Sequence, residues 1–458
     1  MNVVKLSLIA LAVAAASSQL AVAGEQQESK GFIEDSTLNL LNRNIYINRD
    51  FRNGGSNSQG TNRAKPADER NGYREEWAQG LHAEFASGYT QGTVGVGVDA
   101  HAFGGIKLDS GRGRAGTGLL PISNNKTADA EVPDSYGEVG GALKARFSST
   151  ELKWGELRTG APVFATADSR LLPETATGLH LSSGDISGLS LEAGHFTAYN
   201  FRDSTNSDDS LHTNYSDTDV RSLDFVGGSY SITDDLSVML YTSEAEDHWY
   251  QHYANANYNI GLAEGQSLNL DFNVYRTDST GEELAGEVSN TTWSLAAAYK
   301  IGAHKFTLAH QQVNGDTPFD YVGGDSIFLA NAVQISDFNA PGMKSLQARY
   351  DLDLATFGVP GLTFMTRYIT GQGSDDAGDY SVDGDNFAGG GDTTYGGYNN
   401  AKWHELDIDV KYVIQDGAAK DLSLRARAAT YRGNSEASND YSDINEFRLI
   451  VEYPLSIL

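Results

Sequence analysis

The sequence predicts an all-β chain, a transmembrane antiparallel up-and-down β-barrel of about eighteen strands. Three observations predict it. Apolar and polar residues alternate with period two throughout, while helical periodicity of any length is missing. Short turns alternate with long polar segments. The chain opens with an export signal and contains no cysteine.

The opening residues, 1–23, combine Lys5, an apolar stretch from Leu6 to Ala16 and a small-residue end at Ala21-Val22-Ala23. That pattern predicts a secretory signal peptide cleaved after Ala23, followed by one barrel domain over 24–458. Without cysteine there is no lipobox, disulfide framework or thiolate metal site. A formal charge of -28 excludes a phosphate-binding face of the kind nucleic acid needs. No apolar run approaches the roughly 18 residues of a membrane helix. In a barrel only alternate residues meet lipid, so a polar mean hydropathy is compatible with a membrane wall.

Individual strands carry the alternation clearly. Val94, Val96, Val98, Ala100 and Ala102 share one face, and Asp99 and His101 the other. Trp77, Leu81, Ala83 and Phe85 oppose His82 and Glu84; Leu406, Ile408, Val410 and Tyr412 oppose Glu405, Asp407, Asp409 and Lys411. Short turns fall at Ser148-Ser149, 185–188, 233–235 and 301–303. Long segments lie near 49–73, 107–135, 158–178, 200–220, 314–342, 372–400 and 432–444, with shorter ones near 244–248 and 278–289. Short turns on one rim and long loops on the other are the periplasmic and exterior ends of an outer-membrane barrel. Trp77, Trp154, Trp249 and Trp403 near strand ends are expected in the aromatic girdles. A secreted sandwich shares the alternation, but about eighteen strands without a second domain boundary favour one closed sheet; a propeller would show a fixed-period repeat.

Several motifs resolve into loops. Gly111-Arg-Gly-Arg-Ala-Gly116 has the letters of a dinucleotide fingerprint but opens no helix, which places Arg112 and Arg114 in an exterior loop, toward the vestibule. Gly324-Asp-Ser-Ile327 resembles an esterase block but sits far from where such a block belongs. His248 and His252 on a strand are about 13 Å apart, too far for one ion. The acidic run 375–387 lacks the ordered spacing of a calcium loop. No metal and no cofactor are expected.

The arginines are informative because alternation assigns each a side. Arg146, Arg349, Arg367, Arg425, Arg427 and Arg448 all oppose apolar neighbours. An arginine on the lipid face near the midplane costs roughly 2 to 4 kcal/mol, so these point into the lumen. Salt bridging across the wall is the plain structural reading. Their concentration on the fourteenth, fifteenth, seventeenth and eighteenth strands suggests in addition a basic stripe along which an anion steps.

Long stretches of the chain resemble the OprD-type outer-membrane carboxylate channels: "GFIEDSTLNLLNRNIYINRDFR", "EEWAQGLHAEFASGYTQGTVGVGVDA", "KLDSGRGRAGTGLLP", "DSRLLPETATG", "SDFNAPGMKSLQARYDLD", "GVPGLTFMTRYITG" and "EFRLIVEYPL". The resemblance implies an eighteen-stranded barrel, inward-folded constriction loops at 158–178 and 314–342, and no enzymatic activity. It implies passive, substrate-specific uptake of small carboxylate nutrients, monocarboxylic acids and aromatic ones among them; basic amino acids, small peptides or a non-specific pore are the alternatives. Its arginine ladder maps onto Arg43, Arg146, Arg349, Arg367, Arg425, Arg427 and Arg448, with Arg170 at the constriction and Asp325 and Asp337 on the acidic side. Met343 stands where the motif is expected to carry glutamate. The expected partners are small carboxylate solutes, outer-membrane lipid and lipopolysaccharide, with a monomer or weak oligomer and no nucleic acid.

Overall fold

Eighteen strands, numbered in chain order, make one antiparallel sheet. They are β1 Thr37–Arg52, β2 Tyr73–Ala86, β3 Val94–Asp109, β4 Ser135–Phe147, β5 Thr150–Leu157 and β6 Thr175–Ile186. Then follow β7 Leu189–Asn200, β8 Leu223–Ser231, β9 Leu236–Ala245, β10 Trp249–Ala263, β11 Gln266–Ser279 and β12 Ser289–Ile301. The last six are β13 His304–Asn314, β14 Lys344–Asp353, β15 Leu362–Gln372, β16 Lys402–Val413, β17 Ser423–Gly433 and β18 Asp443–Ser456. The computed structural model describes residues 24–125, 127–373, 380–382, 393–395, 400–437 and 443–458. Residues 1–23, where a signal peptide is expected, and most of the acidic run 375–387 lie outside them.

Each strand pairs with its neighbours in sequence, and β1 also pairs with β18 from Asn39 opposite Ser456 to Arg52 opposite Asp443. The sheet is therefore closed. Closure is what a bilayer demands, because no water reaches a lipid-exposed edge to satisfy its amides. The long connections leave one rim, and the short turns, such as Ser148-Ser149 between β4 and β5, lie on the other.

The outer wall carries the apolar residues that the alternation assigns to it. Val94, Val96, Leu143, Leu240, Leu308 and Leu346 are all exposed on the isolated chain, as lipid-facing residues are. Trp77 and Trp154 are on this outer surface. Trp249 and Trp403 are not: they are 2% and 1% exposed and face inward. The upper inner wall is roofed by loops, and roofed wall needs apolar side chains. Trp249, Tyr253, Tyr275, Phe196 and Phe225 pack against Phe164, Phe319 and Tyr321 from those loops. Trp403, Tyr431 and Ile369 pack against Phe338 and Met343.

A third cluster joins Leu119, Leu120 and Leu171 to Ile45, Ala78 and Phe103 of the wall. Leu171 approaches so closely that a Cβ on Gly80 or Gly105 would lie 3.1 or 2.9 Å from its methyl carbons. Glycine at these two wall positions is what lets the loop lie down on the sheet.

The outer face also carries polar groups that pair with one another. Asn42, Asn44 and Gln79 point outward on β1 and β2 and bond to one another, with Asn44 Nδ2 donating to Gln79 Oε1 at 3.0 Å and Trp77 Nε1 to Asn44 Oδ1 at 2.9 Å. Mutual pairing removes much of the cost of holding amides beside lipid.

The two faces predict opposite responses to one charge. Leu308→Arg, on the lipid side near the middle of β13, should cost about 2 to 4 kcal/mol of folding stability in vesicles. Asn259→Arg, which enters the lumen, should cost a small fraction of that; urea-dependent folding into lipid vesicles measures both.

Candidate functional site

Inside the barrel, backbone cannot join the wall ladder, so each loop must find other partners for its amides and carbonyls. The segment 158–174, between β5 and β6, starts with a small hairpin of Gly160–Ala161 against Phe164–Ala165. It then crosses to β1 and β2. Arg43 Nη1 donates to Asp168 Oδ1 at 2.6 Å and to the Arg170 carbonyl at 2.9 Å, and His82 Nε2 bonds the Leu171 carbonyl at 2.7 Å. This is the first inward loop.

The second, 315–343, crosses from the middle of the barrel to its late strands. Gln251 of β10 donates to the Asp320 carbonyl at 3.1 Å, and the Tyr275 hydroxyl of β11 accepts from Phe328 N at 3.0 Å. At its far end Glu405 of β16 accepts from Ile335 N at 2.8 Å and Ser336 N at 3.0 Å. Buried carboxylates serve as substitute acceptors throughout. Asp320 takes the amides of Asn214, Tyr215, Ser216 and Tyr321 at 2.8 to 3.0 Å and the Ser216 hydroxyl at 2.7 Å, which ties the 201–222 segment to the second loop. Glu174 takes Ala167 N at 2.8 Å, Gly324 N at 3.2 Å and the Tyr199 hydroxyl at 2.6 Å, which ties the two inward loops together.

The ladder arginines of the strands face the lumen, and each of them has a carboxylate partner. Arg367 meets Asp407 at 2.6 Å, Arg349 meets Asp351 at 2.6 Å, and Arg448 meets Glu446, which also takes Arg49 at 2.6 Å. Arg425 and Arg427 share Asp409, and Arg43 bridges Asp168 and Glu452. The wall is thus a double ladder of guanidinium and carboxylate.

Exposure sorts the ladder into two groups. The Arg43 and Arg448 side chains are 7% and 4% exposed and sealed by their partners, whereas Arg349 and Arg425 are 33% and 37% exposed. In both exposed residues Nε and Nη2 hold the aspartate, and among the described residues Nη1 makes no hydrogen bond. One edge of each fork is therefore open to the lumen.

Arg146 stands apart from this group. It lies near the Ser148-Ser149 turn, 4.0 Å over the Tyr89 ring, and bonds Gln26 at 3.2 Å and Glu25 at 3.3 Å. It holds residues 25 and 26 to the barrel foot.

Arg170 is the exception in the other direction. It donates to the Thr117 carbonyl at 2.9 Å and to Ser169, and among the described residues it has no carboxylate partner. Burial, then Arg448, Arg202 and Arg49 nearby, disfavour its charge despite some relief from Glu446. An anion placed there would relieve all three repulsions.

The two expected acidic residues differ. Asp325 is exposed on the second loop. Asp337 accepts from the hydroxyls of Tyr215 at 2.7 Å and Tyr321 at 2.9 Å; burial pushes its carboxyl up against the opposing pull of these two bonds. It holds loops together rather than presenting a bare charge.

Met343 is 4% exposed, and its sulfur lies beside Phe338 in the contact zone over Gly371. The foot of the second loop is therefore apolar where a glutamate was expected.

Other motifs are structural as well. Ser326 donates to the Val322 carbonyl at 2.5 Å and accepts from Ala165 N at 2.6 Å, a buried turn contact. Arg114 pairs with Glu75 at 2.8 Å and Asp109 at 2.9 Å on the outward side of the strand ends, not in the vestibule. His248 is buried against Thr218, while His252 bonds Thr242 on the outer wall.

A closed eighteen-stranded barrel, narrowed by two loops over a wall of paired charges, is the architecture of an outer-membrane porin. The chain belongs to the OprD family: the model for "outer membrane porin, OprD family" matches residues 30–457. Porin D of Pseudomonas aeruginosa is 51% identical over 473 aligned residues and covers 100% of both chains. The crystal structure of Pseudomonas aeruginosa OprD superposes with a TM-score of 0.76 at 48% identity, covering 96% of this chain and 100% of that one. Pseudomonas aeruginosa OpdK, solved with vanillate, gives a TM-score of 0.78 at 32% identity over 93% of this chain and 100% of its own. The protein is accordingly a channel of the bacterial outer membrane and not an enzyme.

Asp168 sets the acid limit of the first loop. Burial pushes its carboxyl up, but the hydrogen bond and charge of Arg43, with Arg158 and His82, hold it below the usual 3.8. A depressed value contributes stability in full above the unfolded value and loses it as pH falls through the folded one. Single-channel conductance should stay steady from neutrality down to about pH 4 and become noisy only below that. Asp168→Asn should show the same noise at neutral pH.

Asp320→Ala should free the 201–222 and 315–343 segments together, read as new protease cleavage in both while the barrel keeps its heat-modifiable mobility.

Proposed function

We propose that the pore takes up small carboxylate-bearing solutes, monocarboxylic and aromatic acids among them, by passive diffusion along the arginines. The observation that carries this reading is the half-open fork of Arg349 and Arg425 below an Arg170 that has no carboxylate partner among the described residues. A solute carboxylate can bond Arg170 at the constriction, then the free edges of lower guanidiniums, without first breaking an internal ion pair. Arginine suits the task because it has five donors and keeps its charge. Successive sites of moderate strength allow both entry and exit. Vanillate in OpdK, an aromatic carboxylate in a relative, supports the same class.

Exposed Asp325 favours a second reading, in which an ammonium on the same solute is met opposite Arg170 and the pore prefers amino acids. Liposome uptake of benzoate, an aliphatic acid, arginine and a dipeptide separates the two. Benzoate and the aliphatic acid should enter several-fold faster than arginine, and Arg170→Ala or the pair Arg425→Ala with Arg427→Ala should abolish most of that preference. Fast arginine entry lost in Asp325→Asn would support the amino-acid reading; entry ordered by solute size alone would mean a non-specific pore.

A further inference from the structure

Three ligand-bearing side chains meet on the inner wall away from the ladder. His101 of β3, Glu138 of β4 and Glu156 of β5 place a ring nitrogen and two carboxylate oxygens within 4.8 Å of one another. His101 Nε2 is 3.6 Å from Glu156 Oε1 and 3.9 Å from Glu138 Oε1. From these positions we infer that the chain has a divalent transition-metal site, with zinc as its natural probe.

The unmet polar atoms argue for a ligand. The Glu138 side chain is only 5% exposed, and its Oε1 is buried without a hydrogen-bond partner; His101 Nε2 is in the same condition. Both atoms are aimed into the cluster. Leaving such atoms unsatisfied costs about 1 to 3 kcal/mol each, and a cation would satisfy both at once.

The dimensions fit. Tetrahedral zinc with bonds of about 2.0 to 2.1 Å keeps its ligand atoms roughly 3.4 Å apart. The Glu156 contact is nearly there, and the Glu138 contact needs to close by about half an ångström. Three protein ligands leave a fourth position for water from the lumen.

The surroundings are built for a fixed ligand set. The His101 ring stacks on Phe103 with centroids 4.7 Å apart and planes 14° apart. Thr175 Oγ1 donates to Glu156 Oε1 at 2.5 Å, orienting that carboxylate from the neighbouring strand. Gly140, directly opposite His101 in the β3–β4 register, keeps the space open. A Cβ there would lie 2.2 Å from Glu156 Oε2 and 2.6 Å from His101 Nε2. Because His101, Glu138 and Glu156 stand on three hydrogen-bonded strands, the site needs no loop to order. Imidazole with carboxylates favours zinc or another late first-row ion over magnesium or calcium.

The test uses tag-free, full-length barrel in detergent, stripped of metal and titrated with zinc chloride by calorimetry. Cobalt chloride in a parallel titration reports geometry through its visible absorption. The expected result is one zinc per chain and an intense tetrahedral cobalt band. His101→Ala and Glu138→Gln should weaken zinc by at least about 10-fold, in line with losses seen even for outer-shell partners. Gly140→Ala should do the same with all three ligating residues unsubstituted, because its methyl group displaces the Glu156 carboxylate and the His101 ring. Heat-modifiable mobility confirms that each variant is folded. Stoichiometric zinc equally tight in His101→Ala, or no binding by the parent chain, would overturn the site.

Discussion

A strand in hydrocarbon must give every second side chain to lipid, and whatever is polar must then go inward. In this chain that single constraint concentrates the charge. The formal charge of -28 describes the whole molecule, yet Arg43, Arg349, Arg367, Arg425, Arg427 and Arg448 all share the enclosed face. Packed into one narrow volume, guanidiniums without counterions would repel one another. Asp351, Asp407, Asp409, Glu446 and Glu452 stand among them on the same face and neutralise the wall at close range.

The same shortage of partners governs the loops. A segment led into the lumen leaves the sheet ladder behind, and its amides must be satisfied by side chains. Glu174, Asp320 and Glu405 do this with several backbone donors each, and all three are buried. Carboxylates in this barrel therefore have two tasks. Some pair with arginine on the wall, and others accept from the loop backbone that narrows the channel.

Strands, rims and the inward direction of the arginines were legible because period-two alternation is a local property. The long loops begin within a few residues of where the polar segments do. What alternation does not contain is register across strands. Arg367 finds Asp407 because the two are directly opposite on β15 and β16, and Arg427 finds Asp409 the same way. His101, Glu138 and Glu156 are likewise far apart in sequence and meet only through β3–β4–β5 pairing. Trp249 and Trp403 were misplaced for a related reason: alternation cannot tell a wall facing lipid from an inner wall roofed by a loop, since both are apolar. Arg146 belonged to the correct face, but its height on the wall puts it at the barrel foot with Glu25.

Bracing and conducting make different demands on the two edges of a lumen guanidinium. Arg43 and Arg448 are nearly sealed; at Arg448 a passing carboxylate would have to displace the buried Glu446 and leave a charge unpaired, a cost of about 3 to 5 kcal/mol for a fully buried pair, whereas the partners of Arg43 are part-exposed. Such residues brace. Arg349 and Arg425 commit Nε and Nη2 to an aspartate and turn the remaining donors to water. Under the proposed carboxylate uptake, the aspartate would both fix the fork in position and weaken its pull on a second anion, so that a visiting carboxylate would be held by hydrogen bonds without being trapped by full charge. On that proposal, bracing and conduction are properties of the two edges of one side chain.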